Sequence, residues 1–279
     1  MGGTPVVCGI CPRHCSLKEG QAGVCRARSN RGGAVVCDNY GAVTALALDP
    51  IEKKPLYHFH PGSYILSAGS FGCNMRCPFC QNSHISMVGA ESAKPGPRTR
   101  PEQLVEEALA ERNRGNIGLA YTYNEPLVGY EFVLDCARLA AEAGLENVLV
   151  TNGYICPEPL RKLLPYIHAM NIDLKGFRGE YYARLGGDLE TVKETIKTAA
   201  GVCHVEVTTL IVPGENDSES EIANLAAWLA DISPDMPYHV SRFFPRWKMA
   251  GMEPTPAPVV YHLANIAREY LRYVYEGNC

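Results

Sequence analysis

Cys73, Cys77 and Cys80 fall at CxxxCxxC spacing in the run Gly72-Cys-Asn-Met-Arg-Cys-Pro-Phe-Cys80. Three thiolates from one short loop suit a cubane iron–sulfur cluster, whose four iron corners then include one without a protein ligand. An iron with an open position can bind a small molecule, which makes the site reactive and not only electron-carrying. Gly69 and Gly72 let the backbone approach the sulfurs, and Pro78 stiffens the loop. The same residues admit a second chemistry: with His84, they form a Cys3His donor set for a closed tetrahedral zinc. The loop's place at the active end of the expected fold favours iron–sulfur over zinc.

A second set, Cys8, Cys11, Cys15 and Cys25, supplies four thiolates, a complete shell. No position is left open, so the chemistry is a structural zinc or an electron-relaying [4Fe–4S] cluster, and the spacing does not choose between them. These two sets hold seven of the chain's 12 cysteines. Thiols two or three residues apart are too close in sequence for ordinary disulfides with one another, and Met1 to Cys15 lacks the apolar core of an export signal. Cys37, Cys136, Cys156, Cys203 and Cys279 are scattered and read as small hydrophobes.

The elements that must position these residues follow from the rest of the chain. Its 279 residues are 46% hydrophobic and 20% charged, with a formal charge of −4. This excludes a disordered chain and argues against a nucleic-acid binder, which needs a basic excess. No apolar run is long enough for a membrane span, so a cytoplasmic protein is expected. Residues 1–62 read as a small Cys-rich module with short β-like runs, among them Ala34 to Val36 and Ala42 to Leu48, and residues 63–279 as a second domain. In the latter, strand-like runs at Tyr64–Ala68, Ile117–Tyr121, Asn147–Val150, Ala169–Ile172, His204–Ile211 and Tyr238–Arg242 alternate with amphipathic helical runs. The helices are expected near Pro101–Arg114, Leu127–Ala143, Pro157–Leu164, Leu189–Ala200, Glu219–Asp231 and Val259–Tyr270, with a short piece at Glu180–Arg184 and a Pro/Gly loop at Ser92–Pro101. Such alternation predicts an α/β fold with a parallel sheet, and six units predict an open, partial (β/α)6 TIM-like barrel. Polar residues follow every strand, where such folds place their active sites.

The CxxxCxxC loop after a first strand, with Phe79 before the last Cys, resembles the radical S-adenosylmethionine (SAM) superfamily. More narrowly, the chain resembles the radical SAM enzymes of the AmmeMemoRadiSam system, relatives of the activating enzymes of glycyl-radical proteins. The matching segments are Cys8–Cys15, Asp49–Leu56, Gly72–Ser86, Thr122–Pro126, Thr151–Gly153, Asp173–Gly176 and Ile211–Ser218. The resemblance implies a [4Fe–4S] cluster on Cys73, Cys77 and Cys80, SAM chelated to its open iron, and a low-potential electron donor of flavodoxin or ferredoxin type. It also implies Memo-type and AMMECR-type partner proteins. Cofactor-binding roles are implied for Asn124 and Glu125 at the end of the second strand, for Thr151 and Asn152, for Asp173 and Lys175, and for His239. No catalytic side chain is assigned beyond the cluster. Related activases carry Asp where Val150 stands, so a cation bridged to the SAM carboxylate is not expected here. Competing readings stand beside these roles: a helix N-terminal charge for Glu125, a buried ion pair for Asp173 and Lys175, a hydrogen-bonded core histidine for His239. Arg242, Arg246 and Lys248 read as an exposed basic rim, and Asp49–Pro55 and His58–His60 as structural segments. The function expected is reductive cleavage of SAM to a 5′-deoxyadenosyl radical for hydrogen abstraction. A glycyl-radical activase and a non-catalytic iron–sulfur or zinc protein are the alternatives.

Overall fold

The computed structural model describes residues 4–93 and 96–279. Residues 94 and 95 of the expected Pro/Gly loop, and Met1 to Gly3 of the N-terminal segment, lie outside the described residues. The N-terminal module contributes two small antiparallel pairs, β1 (Val6–Val7) with β2 (Ser16–Leu17) and β3 (Arg28–Arg31) with β4 (Ala34–Cys37). Strands β5 (Ala45–Pro50), β6 (Tyr64–Gly69), β7 (Asn116–Tyr121), β8 (Glu146–Thr151), β9 (Ala169–Asp173), β10 (His204–Ile211), β11 (Tyr238–Arg242) and β12 (Val274–Gly277) form one eight-stranded sheet in sequence order. Strand β5 pairs antiparallel with β6, and every later pairing is parallel. The sheet ends at β5 and β12, which do not pair, so the barrel is open.

The six expected strands are present, each extended by no more than a residue or two. Two strands go beyond them. The run at Ala42–Leu48, grouped in sequence with the Cys-rich module, supplies β5 to the main sheet, so the sheet crosses the boundary expected at residue 62. Strand β12 was not expected: its four residues, Val-Tyr-Glu-Gly, show no alternation long enough to read.

Helices pack outside the sheet. After two single turns, α1 (Ser83–Ser86) and α2 (Ala90–Ala93), come α3 (Pro101–Ala110), α4 (Tyr130–Glu142), α5 (Pro157–Leu163), α6 (Gly179–Leu185), α7 (Leu189–Ala200), α8 (Glu219–Ile232) and α9 (Ala257–Arg268). Their starts are written in local chemistry. Pro opens α3 and α5, Asp188 caps α7 by accepting from Thr191 N at 2.8 Å, and Ser218 caps α8 through Glu221 N. The apolar faces of the helices and the outward faces of the strands make one core, with Leu104, Leu119, Val192, Ile196, Leu225 and Leu263 nearly or fully inaccessible. The inward faces of the strands are mixed: Ile65, Ala120, Val148 and Ala169 make a small apolar cluster with Ile51 and Leu56, beside buried polar residues that include Ser67, Asn171, Glu206, Thr208 and His239.

Candidate active site

The loop after β6 is fixed from several directions. Asn124 accepts from Ser70 N at 2.9 Å and donates to Gly72 O at 3.0 Å. Asn39 donates to Phe71 O at 2.9 Å, and Arg76 N donates to Leu185 O at 2.8 Å. Gly72 sits at φ +89°, where a Cβ would lie 2.5 Å from Cys25 O, so only glycine serves there. The loop thus presents Cys73, Cys77 and Cys80 to one cavity of about 380 Å3 at the C-terminal end of the strands.

The same cavity is lined by Asn124, Glu125, Thr151, Asn152, Asp173 and Lys175, so six of the seven side chains expected to bind cofactor meet the three thiols. Glu125 is buried, and its carboxylate accepts from Thr151 Oγ1 at 2.7 Å, Asn152 N at 2.8 Å and Leu127 N at 3.1 Å. It therefore caps the helical turn that follows, as the structural reading held, while also facing the cavity. Burial pushes its pKa up to about 7, against the lowering by these donors and by Lys175. A cation brought beside it would restore the charged form.

Lys175 Nζ donates to Asp173 Oδ2 at 2.7 Å. Burial works against its ammonium charge, but the Asp173 carboxylate and Cys77 together hold its pKa above the usual lysine range. Burial raises Cys77 to about 11, with Lys175 opposing, and raises Cys73 and Cys80 as well. A fixed cation beside sulfurs that are costly to ionise favours an occupant that binds them as thiolates. Asn152 Nδ2 points the same way, 3.7 Å from Cys73 Sγ.

His239 is not part of this arrangement. It lies deeper in the barrel, bonded through Nε2 to Glu206 Oε2 at 2.6 Å, with the Tyr57 ring edge-on at 4.7 Å. Its neighbour two residues on, Ser241, reaches the cavity instead. The strand register separates the two: an inward-facing residue near the start of β11 belongs to the barrel floor, one near its end to the rim. His84 is exposed on α1 and does not line the cavity. Among the described residues no three His, Cys, Asp or Glu side chains are gathered closely enough for a single metal ion, so the Cys3His zinc arrangement is not formed. The three thiols around a shared cavity, with a cation beside them, fit a polynuclear cluster with three protein ligands.

Sequence reasoning missed the part played by Asp49–Pro55. Lys53, Lys54 and Pro55 line the cavity; Lys54 is buried, pairs with Asp49 at 2.8 Å and lies over the Tyr123 ring. Tyr123 donates to Asp49 at 2.7 Å and has φ +71°, a conformation uncommon outside glycine. Two adjacent lysines after an acidic residue, just before the first barrel strand, were the available signal. Cys8, Cys11, Cys15 and Cys25 line a second, smaller cavity behind the loop.

A family model for the radical SAM superfamily matches residues 69–226, more than half of the chain. The chain belongs to the radical SAM superfamily. An uncharacterized protein of Methanocaldococcus jannaschii is 44% identical over 277 residues, covering 98% of this chain and 81% of that protein. Pyruvate formate-lyase 1-activating enzyme of Escherichia coli K12 is 23% identical over 217 residues, covering 71% of this chain and 86% of the enzyme. Among solved structures, a radical SAM methyltransferase of Sphaerobacter thermophilus superposes with a TM-score of 0.60 at 15% identity, covering 78% of this chain and 67% of that one, a likeness of fold. This radical SAM protein is accordingly an enzyme, and membership implies a [4Fe–4S] cluster and generation of a radical from SAM. Among the described residues no helix is long and apolar enough to cross a membrane.

Proposed function

We propose that Cys73, Cys77 and Cys80 hold the [4Fe–4S] cluster and that Asn124, Glu125, Thr151, Asn152, Asp173 and Lys175 bind SAM beside it. The observation that carries this reading is the convergence of three thiols and a buried carboxylate on one cavity. When bound, the cluster supplies one electron that cleaves SAM to methionine and a 5′-deoxyadenosyl radical, which takes hydrogen from a substrate. Glu125 would accept a hydrogen bond from the SAM amino group, which is neutral when it chelates iron, and is held in place for it by three donors. Lys175 and Asn152 offset the negative charge that thiolates bring into the barrel. Lys53 and Asn278, which line the same cavity, would meet an anionic substrate or the SAM carboxylate, with Lys54 held against Asp49 beside them. The segment before β5 acts as a module that carries a second metal on Cys8, Cys11, Cys15 and Cys25, and the chain from β5 onward as the catalytic unit. His239 holds the barrel floor, from which it acts on SAM only through the shape of the cavity.

The open thiols and the need for a low-potential flavodoxin- or ferredoxin-type donor suit the reducing cytoplasm. The resemblance of Gly72–Ser86 and Asp49–Leu56 to AmmeMemoRadiSam enzymes supports Memo-type and AMMECR-type partners. The similarity to pyruvate formate-lyase-activating enzymes supports a second reading, an activase that takes hydrogen from a glycine of a partner protein. Anaerobic reconstitution with iron and sulfide, followed by dithionite and SAM, is expected to yield 5′-deoxyadenosine, and Cys73→Ala/Cys77→Ala/Cys80→Ala to yield none. A fully loaded wild-type chain that forms no 5′-deoxyadenosine overturns the reading.

A further inference from the structure

The four N-terminal cysteines converge without touching the SAM cavity. Cys8, Cys11, Cys15 and Cys25 line one small cavity that Asn74 and Val128 of the barrel unit also line. Cys8 and Cys25 are buried, whereas Cys11 and Cys15 reach partly to solvent. The module is bolted to the catalytic loop and its surroundings: Arg13 Nε donates to Asn74 O at 2.7 Å and its guanidinium reaches Gly186 O, while Arg28 pairs with Glu131 at 2.5 Å.

Adjacent residues line the two cavities. Cys73 faces one and Asn74 the other. Cys73 N donates to Cys25 O at 3.2 Å, so a single hydrogen bond joins a cysteine of each set. Side chains join the two cavities as well: Asn74, which lines the second cavity with Cys11, accepts at 2.9 Å from Asn152 Nδ2, which also lies 3.7 Å from Cys73 Sγ.

We propose that Cys8, Cys11, Cys15 and Cys25 hold a second [4Fe–4S] cluster that passes single electrons to the catalytic cluster through the Cys25–Cys73 contact. This rests on the reading that Cys73, Cys77 and Cys80 carry that catalytic cluster. Four thiolates occupy every iron, so the second cluster binds no SAM and only exchanges electrons. Iron–sulfur is favoured over zinc by place: the four thiols stand directly behind the catalytic loop, with Cys25 O bonded to Cys73 N, where an electron relay has a use and a redox-inert ion has none. The step moves one electron and breaks no bond. A reduced low-potential protein donor lowers the N-terminal cluster from 2+ to 1+; that cluster returns to 2+ as the catalytic cluster goes from 2+ to 1+. The partly exposed edge at Cys11 and Cys15 admits the donor while the barrel mouth stays free for the substrate.

The reconstituted full chain tests this with two variants. Cys73→Ala/Cys77→Ala/Cys80→Ala is expected to retain about four irons and four sulfides, with a reduced-state paramagnetic resonance signal that SAM does not alter. One zinc per chain, or no iron, in that variant overturns the proposal, whatever the 5′-deoxyadenosine assay shows. Cys11→Ala/Cys15→Ala is expected to fall from about eight irons to about four and to keep a SAM-sensitive signal. Reduction of its remaining cluster by a reduced flavodoxin is expected to slow at least about tenfold, while reduction by dithionite is unchanged. An unchanged rate with flavodoxin overturns the relay.

Discussion

Glu125 is held by three protein donors but has no cation bonded to it, and its folded pKa of about 7 records the cost of that burial. The folded value lies above the ordinary 4.5, so the native state keeps a proton that the unfolded chain releases. The associated stability is fully present below pH 4.5 and is lost as pH rises through 7, a change of about 3 kcal/mol. In the chain without cluster or SAM, Glu125→Gln is expected to flatten this dependence, read as denaturation midpoints at about pH 5 and about pH 7.5. SAM binding is expected to run the other way: an amino N–H donor beside the carboxylate favours its ionised form, and the amino group must itself lose its extra proton to chelate iron, so affinity rises with pH through 7 in the wild type. In the loaded protein, Glu125→Gln is expected to weaken SAM binding by about 10- to 100-fold at neutral pH, measured by equilibrium titration. Affinity that is unchanged, or that falls as pH rises, removes Glu125 from the amino-group site.

The cluster loop acts as an element because its backbone is pinned by the protein around it. Gly72 is the tightest point: at φ +89°, a Cβ would meet Cys25 O at 2.5 Å and Ala27 Cβ at 2.8 Å. Gly72→Ala is expected to cost more than about 2 kcal/mol and to push the loop off the N-terminal module. Thermal unfolding checks the first effect, and iron content of the reconstituted protein the second. Normal stability with full iron loading shows that the loop tolerates the shift. The loop's ligands were legible from the spacing of Cys73, Cys77 and Cys80, since that chemistry is local. Its docking partners, Cys25, Asn39, Asn124 and Leu185, were not, because they lie tens to more than a hundred residues away and nothing in their local pattern marks them.

At the scale of the whole molecule, an open barrel has to cover its floor. The segment after β5 does this: His58 N donates to Glu206 at 2.7 Å, His58 Nε2 meets Tyr275 Oη at 2.6 Å, and Asn171 donates to Pro55 O at 2.8 Å. Glu206 is fully buried at the centre of this network. Burial alone would raise its pKa, but hydrogen bonds from His204, His239 and the backbone of His58 and Tyr57 lower it to about 2. Here the sign is that of an acid with a depressed pKa: the stabilisation is present above pH 4.5 and is lost as pH falls towards 2, about 3 kcal/mol in all. Glu206→Gln is expected to lower stability at neutral pH and to lose less between about pH 4.5 and about pH 2 than the wild type, read by denaturant midpoints. Equal acid losses in the two proteins contradict the assignment. By itself the sequence determined the strand–helix alternation, the six central strands, the thiol trio and the polar residues after the strands, because each is a local pattern of period, spacing or residue type. Only the tertiary structure decided that β5 and β12 complete the sheet, that Lys54 faces the cavity and that His239 stays on the floor. Strand register and long-range packing set those outcomes, and both depend on residues far apart in the chain.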